Sequence, residues 1–166
     1  MKMLKNTIFT LAVVSAIATI IASFVLSVLE INGLSMSPTL TEGQIVIAYK
    51  NKNIKQNDVI AFYQGNKILV KRVIAKPGSF VNIDEEGNVY VNGELLKESY
   101  IKEKAQGETD IEYPYQVPDG HYFVLGDKRD TSIDSRNSEI GAISKEDILG
   151  KVVISIWPLN KMGIIK

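Results

Sequence analysis

Thr7 to Leu29 reads TIFTLAVVSAIATIIASFVLSVL, 23 residues with no charge, Gly or Pro. As a helix rising 1.5 Å per residue it would reach about 35 Å, enough to cross a hydrocarbon core of roughly 30 Å with some tilt. Lys2 and Lys5 precede it and Glu30 follows it. Positive charge stays on the cytoplasmic side of a span. The pattern therefore predicts a single-pass protein of the cell membrane: a cytoplasmic N-terminus over residues 1–6, a transmembrane helix over 7–29 and an outer domain over 31–166. Ala16-Ile17-Ala18 has the small-x-small form of a cleaved secretory signal. Such a signal ends its apolar core before the cut, whereas here Thr19 to Leu29 continues apolar, so an uncleaved anchor fits better. Ser15, Thr19, Ser23 and Ser27 recur every four residues. They form either a helix-packing stripe or hydroxyls that each bond a carbonyl one turn back.

Outward from the span, the chain carries 19 Lys and Arg against 19 Asp and Glu among 166 residues, with one His and no Cys. No disulfide framework is possible. There is no basic surplus to neutralise phosphates, which argues against a nucleic-acid partner, and a 45% hydrophobic fraction is too high for a disordered chain. Setting Lys2, Lys5 and Glu30 aside leaves 17 basic and 18 acidic residues in the outer domain, a nearly neutral globule long enough to bury a core.

That domain reads as mainly β. Ile45 to Tyr49, Val59 to Tyr63, Ile68 to Ala75, Asn88 to Val91, Tyr122 to Leu125 and Val152 to Ile156 are short runs rich in Val, Ile, Tyr and Phe. Gly65-Asn66, Glu86-Gly87 and Asn92-Gly93 punctuate them, and Asn92-Gly93 has the form of a two-residue hairpin turn. Most pairing is expected to be antiparallel. Ser144, Asp147 and Gly150 predict one short capped helical turn. Residues 97–117, with mixed charges, Gly107 and Pro114, predict a long surface excursion.

With no Cys and a single His, a hydrolase here must use His121 or find its base elsewhere. His121 lies in the turn Val117-Pro118-Asp119-Gly120-His121, where a structural role is expected. A lysine can act as base only when neutral, which requires desolvation or a neighbouring positive charge. In Ile68 to Ala75 the strand period puts Lys71 on one face with Leu69, Val73 and Ala75, and Ile68, Val70 and Ile74 on the other. Lys71 is thus expected to be partly buried, with Arg72 pointing away. A second unusual segment, Asn32-Gly33-Leu34-Ser35-Met36-Ser37-Pro38-Thr39-Leu40, begins three residues after the run that opens the chain. It places Ser35 within about 20 Å of the membrane end of the span. A third, Gly126 to Arg136, is a polar loop by composition, in which Asp134 and Arg136 could pair.

Together these segments resemble the bacterial type I signal peptidases, membrane-anchored serine proteases with a Ser/Lys dyad. Gly33-Leu34-Ser35-Met36-Ser37-Pro38-Thr39 is similar to the nucleophile box, Lys71-Arg72-Val73 to the general-base box, and Gly126-Asp127-Lys128-Arg129 with Ser132-Ile133-Asp134-Ser135-Arg136 to the third box. Tyr90-Val91-Asn92-Gly93 and Trp157-Pro158 extend the likeness over nearly the whole chain. The resemblance implies an antiparallel β-sheet catalytic domain and an endopeptidase that removes signal peptides from exported preproteins after Ala-x-Ala. It implies Ser35 as nucleophile, Lys71 as base, Ser132 orienting the lysine, and Asp134 and Arg136 supporting the site. The Ser35 N–H would hold the oxyanion. Ile31, Met36, Leu40, Leu69 and Val70 flank the dyad and are expected to line the substrate pockets. The expected partners are preproteins and the lipid bilayer, with no metal, cofactor or nucleic acid. Departures from the family pattern are Gln44, where Asp is commoner, Lys128, where Asn is usual, Gly33, which carries no hydroxyl, and a lengthened stretch between Arg136 and Gly141. Alternatives are a catalytically silent membrane-tethered β-domain that binds exported proteins, and a self-cleaving Ser/Lys repressor-type protease, against which the span and the neutral charge count.

Overall fold

The computed structural model describes residues 2–51 and 53–165; Met1 and Lys166, which bound the expected domains, and Lys52 lie outside the described residues. Helix α1 runs Lys2–Val25, and residues 3–25 are exposed all round. A helix apolar on every face that buries nothing within its own chain fits lipid surroundings. Met3–Val25 is long and apolar enough to cross a membrane.

The helix ends earlier than the span reading expects. Leu26–Glu30 is strand β1, paired antiparallel with β2, Ile45–Tyr49, from Leu26 opposite Tyr49 to Glu30 opposite Ile45. Residues 2–6, expected as a tail, form the first helical turn. A uniformly apolar run carries no period that separates helix from strand; the presence of a partner strand decides the boundary. Ser27 therefore leaves the hydroxyl stripe. Thr19 Oγ1 donates to the Ser15 carbonyl at 2.9 Å and Ser23 Oγ to the Ile20 carbonyl at 2.7 Å, so these hydroxyls are satisfied by their own helix.

The remaining strands are β3 (Val59–Gln64), β4 (Lys67–Ala75), β5 (Phe80–Ile83), β6 (Val89–Val91), β7 (Glu94–Leu95), β8 (Tyr115–Gln116), β9 (His121–Leu125), β10 (Ile143–Ser144), β11 (Ile148–Trp157) and β12 (Gly163–Ile164). The large sheet is ordered β1-β2-β11-β3-β4-β9-β10 with β12 on β11, and the small one β7-β6-β5-β8. The described pairings are antiparallel, as expected. Asn92 and Gly93 both have positive φ, 54° and 84°, which suits the tight turn joining β6 to β7.

Three corrections follow from packing. The Ser144 to Gly150 segment is no helical turn: it joins β10 to β11, because Ile143 and Ile148 are drawn into the core as strand residues. The excursion over 97–117 contains β8 and does not stay on the surface, since the Glu98 side chain is only 2% exposed. A register shift between Val73 and Ala75 breaks the alternation, so Ala75 joins a different core from Val73.

Strand β3 explains the unbroken apolar run Val59 to Phe62. Val59 and Ala61 pack with Ile31, Met36, Leu40, Val46, Ala48 and Val152, whereas Ile60 and Phe62 pack on the other face with Val73, Val124 and Ile148. A strand buried on both faces cannot alternate polar and apolar residues. The small sheet closes a third core around Val81, Val89, Phe123 and Leu125.

Candidate active site

Lys71 sits mid-strand in β4, opposite Ile60 of β3. Its neighbours on the same face, Leu69 and Val73, pack into the second core, and the lysine is 4% exposed. Burial penalises the ammonium and lowers the Lys71 pKa from 10.5 to about 8. Asp134 opposes this, Arg136 adds to it, and Asp127 opposes it more weakly.

Ser35 follows β1 through a loop in which Gly33 adopts φ +87°, a conformation that L side chains rarely take. Behind it, Ile31, Met36 and Leu40 are buried in the first core. The Leu40 N–H donates to the Met36 carbonyl at 2.8 Å, and the Ser37 N–H to the Leu34 carbonyl at 2.9 Å. The loop is thus nailed down by apolar side chains while Ser35 itself remains half-buried. Leu40, expected to line a substrate pocket, is fully buried and lines neither cavity at the site; its role is to anchor the loop.

The third segment clamps these two together. The Lys128 N–H donates to the Ser35 carbonyl at 3.0 Å. A Cβ on Gly126 would collide with Ser132 Oγ and come within 2.6 Å of the Ser35 carbonyl oxygen, so only glycine lets the Ser132 side chain and the Ser35 backbone close in from both sides. Asp134 accepts the Gly126 N–H at 2.9 Å and forms a two-point ion pair with Arg136, at 2.8 and 2.9 Å. Arg136 also donates to the carbonyls of Gln106, Arg129 and Ser132. The pairing of Asp134 with Arg136 agrees with the sequence reading. Ser132 Oγ is buried with no hydrogen-bond partner among the described residues.

Sequence reasoning passed over a second buried cluster. Arg72, turned away from Lys71, pairs with Asp127 through two bonds of 2.8 and 2.7 Å, both side chains being fully buried. Thr39 Oγ1 donates to the same carboxylate at 2.5 Å, and the Arg72 guanidinium lies 3.9 Å over the Tyr100 ring. Arg129 binds Glu98 at 2.5 and 3.1 Å, and Tyr100 donates to Glu98 at 2.9 Å. Thr39, Arg72, Asp127 and Arg129 lie within the quoted boxes and could have been singled out there; Glu98 and Tyr100 carry no local signal.

Two cavities flank Ser35 and Lys71. The larger, about 1030 Å³, is lined by both residues together with Leu69, Lys128, Ile133 and Ile140. The smaller, about 70 Å³, is lined by both with Ile31, Met36, Leu69 and Val70. Among the described residues neither the Ser35 hydroxyl nor the Lys71 amine makes a hydrogen bond, to the other or to any third group. Catalytic hydrogen bonds commonly tighten only once substrate is bound. A buried amine beside a free hydroxyl can act as base to a nucleophile. Among the described residues no group of three or more His, Asp and Glu is arranged to hold a metal. His121 Nδ1 meets the Asp119 carbonyl of its own turn at 2.8 Å, in keeping with a structural role.

The departures find local reasons. Gln44 is buried, accepts from the Thr41 N–H at 2.6 Å and donates to Ser155 Oγ at 3.0 Å, a two-way role that an amide fills. In the lengthened stretch Ser138 is bound to Asp110, and Glu139 and Ile140 line the larger cavity.

Residues 4–157 match the family described as signal peptidase, peptidase S26. Among individual proteins, signal peptidase IB of Staphylococcus aureus (strain Mu50) is 34% identical, over 96% of this chain and 93% of its own. Signal peptidase I of Bacillus licheniformis is 30% identical, over 95% and 93%. A crystal structure of a signal peptidase I from Enterococcus faecalis V583 superposes with a TM-score of 0.49 at 28% identity, covering 60% of this chain and 96% of that one.

Proposed function

Because the chain belongs to the signal peptidase family, peptidase S26, and is an enzyme that removes signal peptides, we propose that it does so with Ser35 as nucleophile and neutral Lys71 as general base. The single observation that carries this assignment is the burial of Lys71 among apolar neighbours beside the Ser35 loop, which lowers its pKa to about 8. Roughly a tenth of the amine is then neutral at pH 7, far more than at the ordinary value of 10.5.

Lys71 Nζ removes the Ser35 hydroxyl proton as Oγ attacks the scissile carbonyl carbon. The developing oxyanion is held by the Ser35 N–H, which has no acceptor among the described residues. Gly33 adds only backbone there. The tetrahedral species collapses as the Lys71 ammonium returns its proton to the leaving amine, and Oγ keeps the acyl group. Neutral Lys71 then takes a proton from water, the hydroxide displaces Oγ, and the lysine reprotonates the serine. Ser132, packed beside Gly126 and the Ser35 backbone with its hydroxyl unpaired among the described residues, is the candidate to orient the lysine by accepting from its ammonium once substrate is bound, and the Asp134–Arg136 pair fixes the segment that carries Ser132.

Sheet geometry suggests how substrate enters. β1 is terminal in the large sheet, and β9 pairs with β4 only from Arg72 onward, so Lys67 to Val70 also present a free edge. An extended preprotein segment before the cut adds between these edges, with Ile31, Met36, Leu69 and Val70 shaping a pocket of about 70 Å³ that suits a small residue such as Ala. Lys2 and Lys5 before the span favour a cytoplasmic N-terminus with the catalytic domain on the outer face of the cell membrane. The alternative of a silent binding domain has no support from a peptidase family match over residues 4–157.

The test is cleavage of a preprotein ending its signal in Ala-x-Ala by detergent-solubilised wild type, Ser35→Ala and Lys71→Ala, with the cut mapped by mass spectrometry. Cleavage after the last Ala, lost in both variants, is expected. Variants that cut like wild type would overturn the dyad.

A further inference from the structure

The small cavity at Ser35 and Lys71 is the upper end of a longer trough. Below it lies a third cavity of about 590 Å³, lined by Thr19, Ala22 and Ser23 of α1, by Leu26 to Leu29 of β1, and by Lys50, Tyr63, Ile68 and Leu149. The two share walls: β1 lines the lower cavity up to Leu29, and Glu30 to Asn32 line the upper one. On the opposite side Ile68 lines both. A single trough thus runs from the outer end of the membrane helix to the site.

Its chemistry is apolar and its floor is fixed. Thr19, Ala22 and Ser23 lie on one helix face, are small enough for a close helix approach, and the two hydroxyls are already satisfied within α1. An apolar neighbour would leave no polar atom unpaired there. Val28, Tyr63 and Ile68 are 65%, 49% and 42% exposed. Lys50, just past β2, donates its N–H to the Val25 carbonyl at 2.8 Å and its Nζ to the Ser23 carbonyl at 2.9 Å. These two bonds cap the helix end and hold α1 against the sheet. One turn of an apolar helix, 10–12 Å across and 5.4 Å high, occupies roughly 400–600 Å³, about what this cavity offers.

We propose that this lower trough seats the last turn of the substrate's own apolar signal helix, against Thr19, Ala22 and Ser23 on one side and Tyr63 and Ile68 on the other. The inference rests on the signal-peptidase reading above and adds to it a site outside the catalytic cavities. A signal's apolar core immediately precedes the extended stretch that is cut, and the trough ends where that stretch must enter. Seating the core there fixes how many residues separate it from the bond brought to Ser35.

The absence of Cys from the chain makes a direct test practical. Full-length protein carrying Ser35→Ala and Tyr63→Cys is placed in phosphatidylcholine vesicles with a preprotein bearing one Cys in its apolar core, and mild oxidation is applied. A disulfide is expected at least tenfold above that formed by Leu95→Cys, on the distant small sheet, and above that with the Cys moved into the mature part. In the background with Ser35 intact, Tyr63→Glu should lower the ratio of preprotein to short Ala-x-Ala peptide cleavage about tenfold, with Tyr63→Phe restoring it. Equal crosslinking at both positions, or none while preprotein is still cut, would mean that lipid fills the trough and would overturn the proposal. Failure of the Ser35-intact protein to cut even the short peptide would overturn the peptidase assignment instead, and the proposal with it.

Discussion

Arg72 and Asp127 form a fully buried, two-point ion pair that joins the strand carrying the proposed base to the loop that clamps the proposed nucleophile. Arg72 is adjacent to Lys71, and Asp127 lies next to Lys128, whose N–H binds the Ser35 carbonyl. Removing one partner of a buried pair leaves an uncompensated charge and typically costs about 3–5 kcal/mol. Asp127→Ala should therefore lower the unfolding free energy by about that amount in urea melts of the detergent-solubilised protein. Asp127→Asn, which keeps an acceptor for Arg72, should lose less. Equal stability of Asp127→Ala and wild type would mean that the pair contributes nothing net.

Activity should rise with pH. With neutral Lys71 as the proposed base and burial lowering its pKa to about 8, log kcat/KM is expected to climb up to that value and level off above it. A flat profile through this range would be incompatible with lysine as base.

The same group has a stability signature of defined sign. Its pKa is lower folded than unfolded, so between about 8 and 10.5 the unfolded chain binds more protons and stability rises with pH. Below about 8 the buried ammonium is a full cost. Lys71→Met should consequently be more stable than wild type at pH 7, with the advantage shrinking by pH 10.5. Thermal melts across pH read this directly.

Ser132 is buried with its hydroxyl unpartnered. Deleting an unsatisfied buried polar group does not destabilise as deleting a bonded one does. Ser132→Ala should melt at or above the wild-type temperature yet lose roughly ten- to a hundredfold in kcat, about 1.4–2.8 kcal/mol, if it orients Lys71. Wild-type kcat in Ser132→Ala would remove it from the mechanism.

Lys128 differs from the family pattern, but what it gives the site is its backbone. Its side chain, 38% exposed, makes a loose 3.8 Å pair with Asp130 as its one ion pair among the described residues. Lys128→Asn should change stability by less than about 0.5 kcal/mol and leave kcat on a neutral peptide within about twofold. A large loss of kcat would assign the ammonium a direct role.

Gly107 has φ +69°, and a Cβ there would strike the Arg136 guanidinium and the Arg129 carbonyl. Gly107→Ala should cost about 1–3 kcal/mol, measured by the same urea melts, because this excursion is packed against the site.

Local pattern was enough for much of this. Six of the twelve strands among the described residues, the Asn92-Gly93 hairpin, the apolar setting of Lys71 and the pairing of Asp134 with Arg136 were legible, because each depends on alternation, turn chemistry or near neighbours. The boundary between α1 and β1 was not, since Leu26 to Leu29 are apolar in either state and only pairing with β2 makes them a strand. Nor was the role of Leu40, whose loop turns inward to the first core, or the inward packing of Glu98 and Tyr100 onto Arg129 and Arg72.

The sequence by itself determined which groups are candidates for reactivity: an apolar strand around one lysine and a serine in a short loop are properties of adjacent residues, and the resemblance to the signal peptidases gave them their proposed roles. Tertiary structure alone decided that this lysine's pKa is lowered. The lowered pKa of Lys71 comes from the desolvation imposed by β3 and the second core. Solvent exclusion is a property of surfaces brought together from distant parts of the chain, and no local stretch can encode it.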